Sequence, residues 1–247
     1  VPAKALFCSL ATTFSSQGVS MPKVLITGAN RGIGLGLVQQ YLKDGWRVHA
    51  TARDFEQAGE LTTLSANPQL SLHQLDVTDY AAVERLAGEL NDIDLLINNA
   101  GYYGPKNYGL GQTDQKEWRH VFEVNTIAPL KLVEALLPNL SRGEHKKIVC
   151  ISSKVGSMQE NTSGGGYIYR SSKAALNSVV KSLSNDLSKD GFTVLALHPG
   201  WVRTNMGGPN ALIDVAQSTI GLFNVIANAG RKDSGRFLNY DGTELPW

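Results

Sequence analysis

The sequence predicts an α/β fold, a single doubly wound parallel sheet of about seven strands with helices on both faces. Three observations carry this. From Met21 onward short apolar runs alternate with helical segments, the first run passes straight into a glycine-rich turn and a helix, and polar turn residues gather where later strands end.

At 247 residues with 42% hydrophobic content, the chain has enough apolar surface for one large core and little room for two, so residues 21–247 read as one domain. The formal net charge is +1, 18% of residues are charged, and no block of like charge occurs, which argues against nucleic acid as a partner. No window approaches the roughly 18 uninterrupted apolar residues of a membrane span, so a soluble protein with no membrane partner is expected. Cys8 and Cys150 lie in the leader and in an apolar run, so no structural disulfide is expected and a reducing, cytoplasmic setting fits. No metal site is expected either. Residues 1–20 contain one Lys and no acid, and they precede the start of the domain pattern at Met21. They read as a targeting remnant, which would place the protein in an organelle, or as an extension upstream of the true start, and disorder is expected in both cases.

The first element is the stretch Lys23 to Gly34, KVLITGANRGIG. Val24, Leu25 and Ile26 form a buried strand ending at Thr27, and Gly28, Gly32 and Gly34 follow where the backbone must turn sharply and approach another group closely. Their spacing is one residue longer than the G-x-G-x-x-G dinucleotide fingerprint, and alone it would also suit a tight turn with no ligand. The helix expected from Ile33 to Lys43 is apolar at Ile33, Leu35, Leu37, Val38 and Leu42, and its N-terminal amides would face a pyrophosphate.

A second strand, Trp46 to Thr51, ends in Ala52, Arg53 and Asp54, about 20 residues beyond the last glycine, where dinucleotide folds choose their cofactor. An acid here accepts the ribose hydroxyls of NAD; an arginine accommodates the 2′-phosphate of NADP. Arg53, with Arg31 as a second cation, favours NADP(H) over NAD(H), while Asp54 keeps NAD open and Arg53 also suits a solvated surface. Leu70 to Leu75 is a third strand, followed by Asp76, Val77, Thr78 and Asp79, of which Asp79 or Thr78 can cap the next helix. That helix is apolar at Val83, Leu86, Ala87 and Leu90 and lies on the sheet. Ile93 to Ile97 is the fourth strand, and Asn98, Asn99, Ala100 and Gly101 follow at its end, where open α/β sheets bind ligands.

Tyr102 and Tyr103 open a polar loop to about Thr113, and one long helix is expected from Lys116 to about Leu137, kinked at Pro129. Asn125 stands polar within it, which by itself suits a core amide satisfied by backbone. Lys147 to Ser153 is the fifth strand and ends in two serines. Thr193 to Leu197 is the sixth and Gly235 to Asn239 the last. Between them, residues 206–230 are expected to fold over the site as a helix and lid. Met206, Leu212, Ile213, Val215, Leu222 and Phe223 either line it, which would favour an uncharged substrate, or pack against the sheet.

Tyr169 and Lys173 lie four residues apart in a helical segment and so share a face. A phenol of pKa about 10 is a poor proton donor or acceptor near neutrality, but a nearby ammonium favours the phenolate and lowers that pKa. Tyr169 thereby becomes a usable general acid or base. Lys173 can also hydrogen-bond a cofactor ribose. Tyr-x-x-x-Lys alone is common, and a surface lysine one turn from a packed tyrosine accounts for most instances.

Taken together, TGANRGIG at Thr27 to Gly34, NNAG at Asn98 to Gly101, Asn125, the ISS of the fifth strand, YRSSK at Tyr169 to Lys173 and Pro199-Gly200 resemble the short-chain dehydrogenase/reductase family, in its order and over nearly everything from Met21. HPGWVRTNMGG at His198 to Gly208 and the closing NYDGTELPW are similar to the C-factor/sniffer-like carbonyl reductases of that family. The resemblance implies a Rossmann-type sheet and a role for each matching residue. Ser153 would hydrogen-bond the substrate oxygen, Tyr169 would be the acid/base, Lys173 its tuner, and Asn125 the holder of a relay water. Gly28, Asn30, Arg31, Ile33 and Gly34 would contact cofactor phosphates and ribose, Asp76 and Val77 the adenine, Asn99, Ala100 and Gly101 the adenosine-side ribose, and Pro199, Gly200, Val202 and Thr204 the nicotinamide.

Ser153 and Tyr169 stand sixteen positions apart, longer than in many family members, and Gly164-Gly165-Gly166 lies between them. Ser152 and Tyr167 are the competing serine and phenol; Ser152 would point to the opposite face of an extended strand, and Tyr167 has Ser171 rather than a lysine four residues on. The expected activity is NADP(H)-dependent reduction of a small aldehyde or ketone. The alternatives are a nucleotide-sensing signalling protein with little turnover and an NAD-linked alcohol dehydrogenase. A homodimer or homotetramer through the two long helices, Lys116 to Leu137 and Tyr167 to Leu187, follows from the resemblance.

Overall fold

Seven short runs become strands, the central ones almost wholly buried and the edge runs Leu70–Gln74 and Arg236–Asn239 only in part. The computed structural model describes residues 21–56, 58–106 and 108–247, and the leader expected at residues 1–20, with Cys8, lies outside them. The strands are β1 (Lys23–Ile26), β2 (Arg47–Ala52), β3 (Leu70–Gln74), β4 (Leu95–Asn98), β5 (Lys147–Ile151), β6 (Thr193–His198) and β7 (Arg236–Asn239). They form one sheet in the order β3-β2-β1-β4-β5-β6-β7, with every neighbouring pair parallel. The expected strands are all present, with ends displaced by a residue or two.

Parallel strands need helical crossovers, and those helices cover both faces. On one face Val24, Ile26, Val48, Leu95, Ile97, Val149 and Leu195 pack under α1 (Gly32–Lys43) and α7 (Val215–Asn228). On the other, Leu25, Leu96, Ile148, Cys150, Val194 and Ala196 pack under α3 (Tyr80–Glu89), α5 (Ala128–Arg142) and α6 (Tyr167–Asp186). Cys150 is a free, buried thiol. The chain builds outward from β1 to β3 and then returns to β4, so the strand order reverses between β1 and β4. A crevice opens at the carboxyl ends there.

Helix starts follow their caps. Asp79 accepts the Ala82 N–H ahead of α3, Asp114 accepts from Lys116 and Glu117 ahead of α4 (Gln115–Phe122), and Asp214 accepts from Gln217 ahead of α7. A short helix, α2 (Gly59–Thr63), follows β2 where none was expected. The long helix expected from Lys116 to Leu137 is present as one helical run, in which α4 passes into α5 (Ala128–Arg142) through a wide π-helical turn over Glu123–Ile127. Pro129, where a kink was expected, stands directly after that turn, in the first turn of α5. Among the described residues no helix is long and apolar enough to cross a membrane.

Candidate active site

The glycine turn and the segment after β4 form one unit. Gly28 has a left-handed backbone, φ +62°, and a β-carbon there would lie 2.8 Å from the Ala100 Cα. A β-carbon on Gly34 would collide with the Gly28 carbonyl oxygen and stand 2.5 Å from Asn99 Nδ2. The Thr27 hydroxyl accepts from the N–H groups of Asn99 and Ala100, both at 3.0 Å. Asn99 returns the contact, donating from its side-chain amide to the carbonyls of Thr27 (2.9 Å) and Gly28 (3.0 Å). Its side chain is thus spent bracing the turn, leaving its backbone for the ribose contact expected of it. At the start of α1, Arg31 makes no side-chain cap and the first turn holds no acid, so the amide end of the helix keeps its partial positive charge.

Arg53 is exposed just beyond β2, as is Arg31 in the turn, and among the described residues neither forms an ion pair. The Asp54 carboxylate is tied into its own turn, accepting the Glu56 N–H at 2.8 Å. At Asp76, burial favours the neutral acid, but the Thr78 N–H and hydroxyl, with Arg53 nearby, overcome it and hold the carboxyl below its ordinary range. Val77 turns its side chain into the core under α3 and α5, so only its backbone is free for an adenine.

The end of β5 and the face of α6 meet the crevice from the other side. Ser152 points away from it, donating to Asn177 Oδ1 at 2.6 Å in the interior. Ser153 caps the turn Lys154–Gly156 and faces the Tyr169 phenol. Tyr167 lies outside, exposed. The Tyr169 ring is half-buried, with its hydroxyl 4.0 Å from Met206 Sδ. Lys173 is buried and its Nζ donates to the Ile151 carbonyl at 2.8 Å, 5.8 Å from the Tyr169 ring centre. Burial pulls the Lys173 ammonium down to about 8. The phenol departs from expectation: burial, and then Tyr103, push Tyr169 up rather than down, with Ser153 opposing. Desolvation outweighs an ammonium that is itself desolvated and committed to a carbonyl.

Asn125 lies in the π-helical turn, fully buried. Its Oδ1 accepts the Tyr102 N–H and its Nδ2 donates to the Tyr102 carbonyl, both at 2.8 Å, and Nδ2 also reaches Ser172 Oγ at 3.1 Å. The amide is satisfied by backbone, and a water at this residue would need main-chain atoms.

Residues 199–213 close the crevice. Ser218 donates to the Pro199 carbonyl at 2.6 Å, Gly200 packs against Ile213 and Tyr240, and Val202 bridges to Ile213. The Thr204 methyl sits beside Gly32, so this segment abuts the glycine turn. Of the lid expected over 206–230, only the part before α7 lies at the mouth. Leu222 is fully buried in the core, Phe223 packs on it, and Gly36 of α1 brings α7 so close that a β-carbon there would lie 2.7 Å from Thr219. Met206 and Leu212 remain exposed.

Two residues at the site had no role in the sequence reading. Tyr103 packs against Tyr169, with ring centres 4.7 Å apart and planes tilted by 30°. Tyr108 takes the Ile168 N–H on its hydroxyl at 3.0 Å and so caps α6, whose own N-cap is Gly166. No spacing rule links either to its target; only the Tyr-Tyr pair after NNAG marked the place.

A family model described as short chain dehydrogenase matches residues 22–213. C-signal of Myxococcus xanthus is 44% identical over 155 residues, covering 63% of this chain and 93% of that protein. Among solved structures, the carbonyl reductase Sniffer of D. melanogaster superposes with a TM-score of 0.88 at 37% identity, over 92% of this chain and 100% of its own. The NADPH-bound carbonyl reductase from chicken fatty liver gives 0.86 at 38%, over 92% and 99%. Motif order, sheet topology and these likenesses agree: the chain is an oxidoreductase that belongs to the short-chain dehydrogenase/reductase family and is related to its C-factor/sniffer carbonyl reductases.

Proposed function

We propose that this enzyme is an NADP(H)-dependent reductase of small uncharged aldehydes or ketones, with Tyr169 as general acid. The observation that carries the reading is the meeting of Ser153, Tyr169 and Lys173 around one half-buried phenol at the mouth of the crevice.

The residues present fit the cofactor. The uncapped N-terminus of α1 suits a pyrophosphate, and Arg31 and Arg53, free of acidic partners among the described residues, suit a 2′-phosphate. The chicken relative is described as NADPH bound, which supports the same choice. When bound, NADPH supplies the hydride to the carbonyl carbon. Ser153 and Tyr169 donate hydrogen bonds to the carbonyl oxygen, which is polarised between them. With its pKa raised by burial, Tyr169 keeps its proton near neutrality and holds it ready for the oxygen as negative charge develops there. Lys173, fixed on the Ile151 carbonyl, stabilises the phenolate left behind. Main-chain atoms at Asn125 hold the water that resupplies the proton, since its amide is occupied. The same reading gives Asn30 and Ile33 contacts to the cofactor's phosphates and ribose, Ala100 and Gly101 to the adenosine-side ribose, and Pro199, Gly200, Val202 and Thr204 to the nicotinamide.

The test is oxidation of NADPH, with NADH in parallel, across a panel of aldehydes and ketones by wild type and Tyr169→Phe. Turnover with NADPH that the variant loses is the expected result. Tight cofactor binding with no turnover would instead favour the nucleotide sensor, and preference for NADH the alcohol dehydrogenase. The same reading takes the molecule as a homodimer or homotetramer through the helical run of α4 and α5 and through α6, checked by light scattering on eluted protein.

A further inference from the structure

We propose that Tyr103 is a specificity-determining residue of this site: a fixed aromatic wall that favours carbonyl substrates bearing a flat, conjugated group beside the carbonyl carbon. The inference rests on the reductase reading for the position of the carbonyl oxygen, which must come within about 2.6–3.2 Å of the Tyr169 hydroxyl. Whatever flanks the carbonyl then lies against the side chains flanking that hydroxyl. Two of them are the Tyr103 ring, packed against the Tyr169 ring with centres 4.7 Å apart and planes tilted by 30°, and the Met206 thioether, 4.0 Å from the hydroxyl.

The ring is held, which separates it from a loose surface aromatic. On its N-terminal side, Tyr102 is gripped through both backbone polar groups by the buried Asn125 amide. On its C-terminal side, Gly104 has φ +82° and lies so close to α4 that a β-carbon would stand 2.8 Å from Val121 and 3.6 Å from Ile168, the neighbour of Tyr169. Further along the loop, Tyr108 hydrogen-bonds the backbone of Ile168. The Tyr103 backbone is thus anchored to the helix that carries the phenol. A wall that does not need ordering on binding costs little conformational entropy. An aromatic substituent would gain an offset stack there that an aliphatic one of equal size would not.

The experiment compares benzaldehyde with cyclohexanecarbaldehyde, which differ in flatness and conjugation more than in size. Affinities are measured by NMR on protein saturated with NADP+, where no hydride is available, and kcat/KM is measured separately with NADPH. Wild type, Tyr103→Phe, Tyr103→Leu and Tyr103→Ala are used, the leucine variant preserving apolar bulk. We expect wild type and Tyr103→Phe to favour benzaldehyde by about three- to tenfold in affinity, and the Leu and Ala variants to lose that preference. In turnover the loss falls on KM rather than kcat. A wild type without preference, or a preference unmoved in the Leu and Ala variants, overturns the wall. A preference in affinity that moves as expected, with no turnover in wild type, keeps the wall and overturns the reductase reading.

Discussion

The two sides of the crevice are built differently. On the glycine-turn side, residues 27–34 and 98–101 lock together through backbone groups, one threonine hydroxyl and one asparagine amide, with no space for an added methyl at Gly34. On the opposite side, Tyr103, Met206 and Leu212 are large side chains carried by loops, and Met206 and Leu212 remain exposed. The first side is fixed by backbone contacts that leave little to vary. The second presents surfaces whose chemistry can change without touching the sheet, which is where specificity can be altered at little cost to stability.

The largest expected effect separates chemistry from scaffold. Tyr169→Phe should cut kcat/KM by about 10²- to 10⁴-fold while leaving thermal unfolding and cofactor binding nearly unchanged; a parallel loss of stability would mean the phenol is structural. Gly34→Ala tests the opposite side. The added methyl meets the Gly28 carbonyl and Asn99, and about 1–3 kcal/mol of destabilisation is expected, read as a fall in Tm together with weakened NADP+ binding. A variant that binds NADP+ like wild type would show that the turn can relax. Arg53→Asp should move the NADPH/NADH ratio of kcat/KM by at least about tenfold toward NADH, in proportion to one lost phosphate contact. Tyr108→Phe, which removes the cap on α6, should cost about 1 kcal/mol in urea unfolding, with Tyr169→Phe adding nothing to that cost.

Acidity gives a further prediction with a definite sign. Burial lowers Lys173 to about 8, so the ammonium discharges as pH rises through that value, and reductive kcat/KM should fall there. The same shift bears on folding. Between about 8 and the ordinary lysine value of 10.5 the unfolded chain binds more protons than the folded one, so this residue's contribution makes stability rise with pH across that window. Lys173→Met should flatten both profiles, and a falling kcat/KM that persists in it would move the titration elsewhere.

What could be read in advance follows from these contrasts. β1, the glycine turn and α1 were legible because an apolar run, three glycines and an amphipathic helix follow one another in sequence, and each constrains its own backbone. Tyr169 and Lys173 were legible because four residues are one helical turn. Ser153 could be preferred to Ser152 because strand side chains alternate, and Ser152 does point to Asn177. The helical run expected over Lys116 to Leu137 was legible, but not the π-helical turn at Glu123–Ile127 within it, from which Asn125 turns inward to hold Tyr102 and which helical periodicity does not encode. Which of the apolar residues over 206–230 cover the site and which pack on the sheet stayed open, because Leu222 and Phe223 have the same apolar character in either role; Gly36 admits α7 against α1 and puts Leu222 in the core.

By itself, the sequence determined the parallel sheet, the places of its strands along the chain and the identity of the groups at the end of each, because these depend on short apolar runs and on the turn chemistry that bounds them. Tertiary structure decided which of those groups are free. Asn99 is taken up by the Thr27 and Gly28 carbonyls, Asn125 by Tyr102, and the Tyr169 phenol is raised by burial rather than lowered by its lysine. It also decided that Tyr103 lies on Tyr169 and that Tyr108 caps a helix sixty residues away. Contacts between segments so far apart leave no period in the chain, and desolvation depends on everything packed around a group, so both emerge only when the sheet and its loops are assembled.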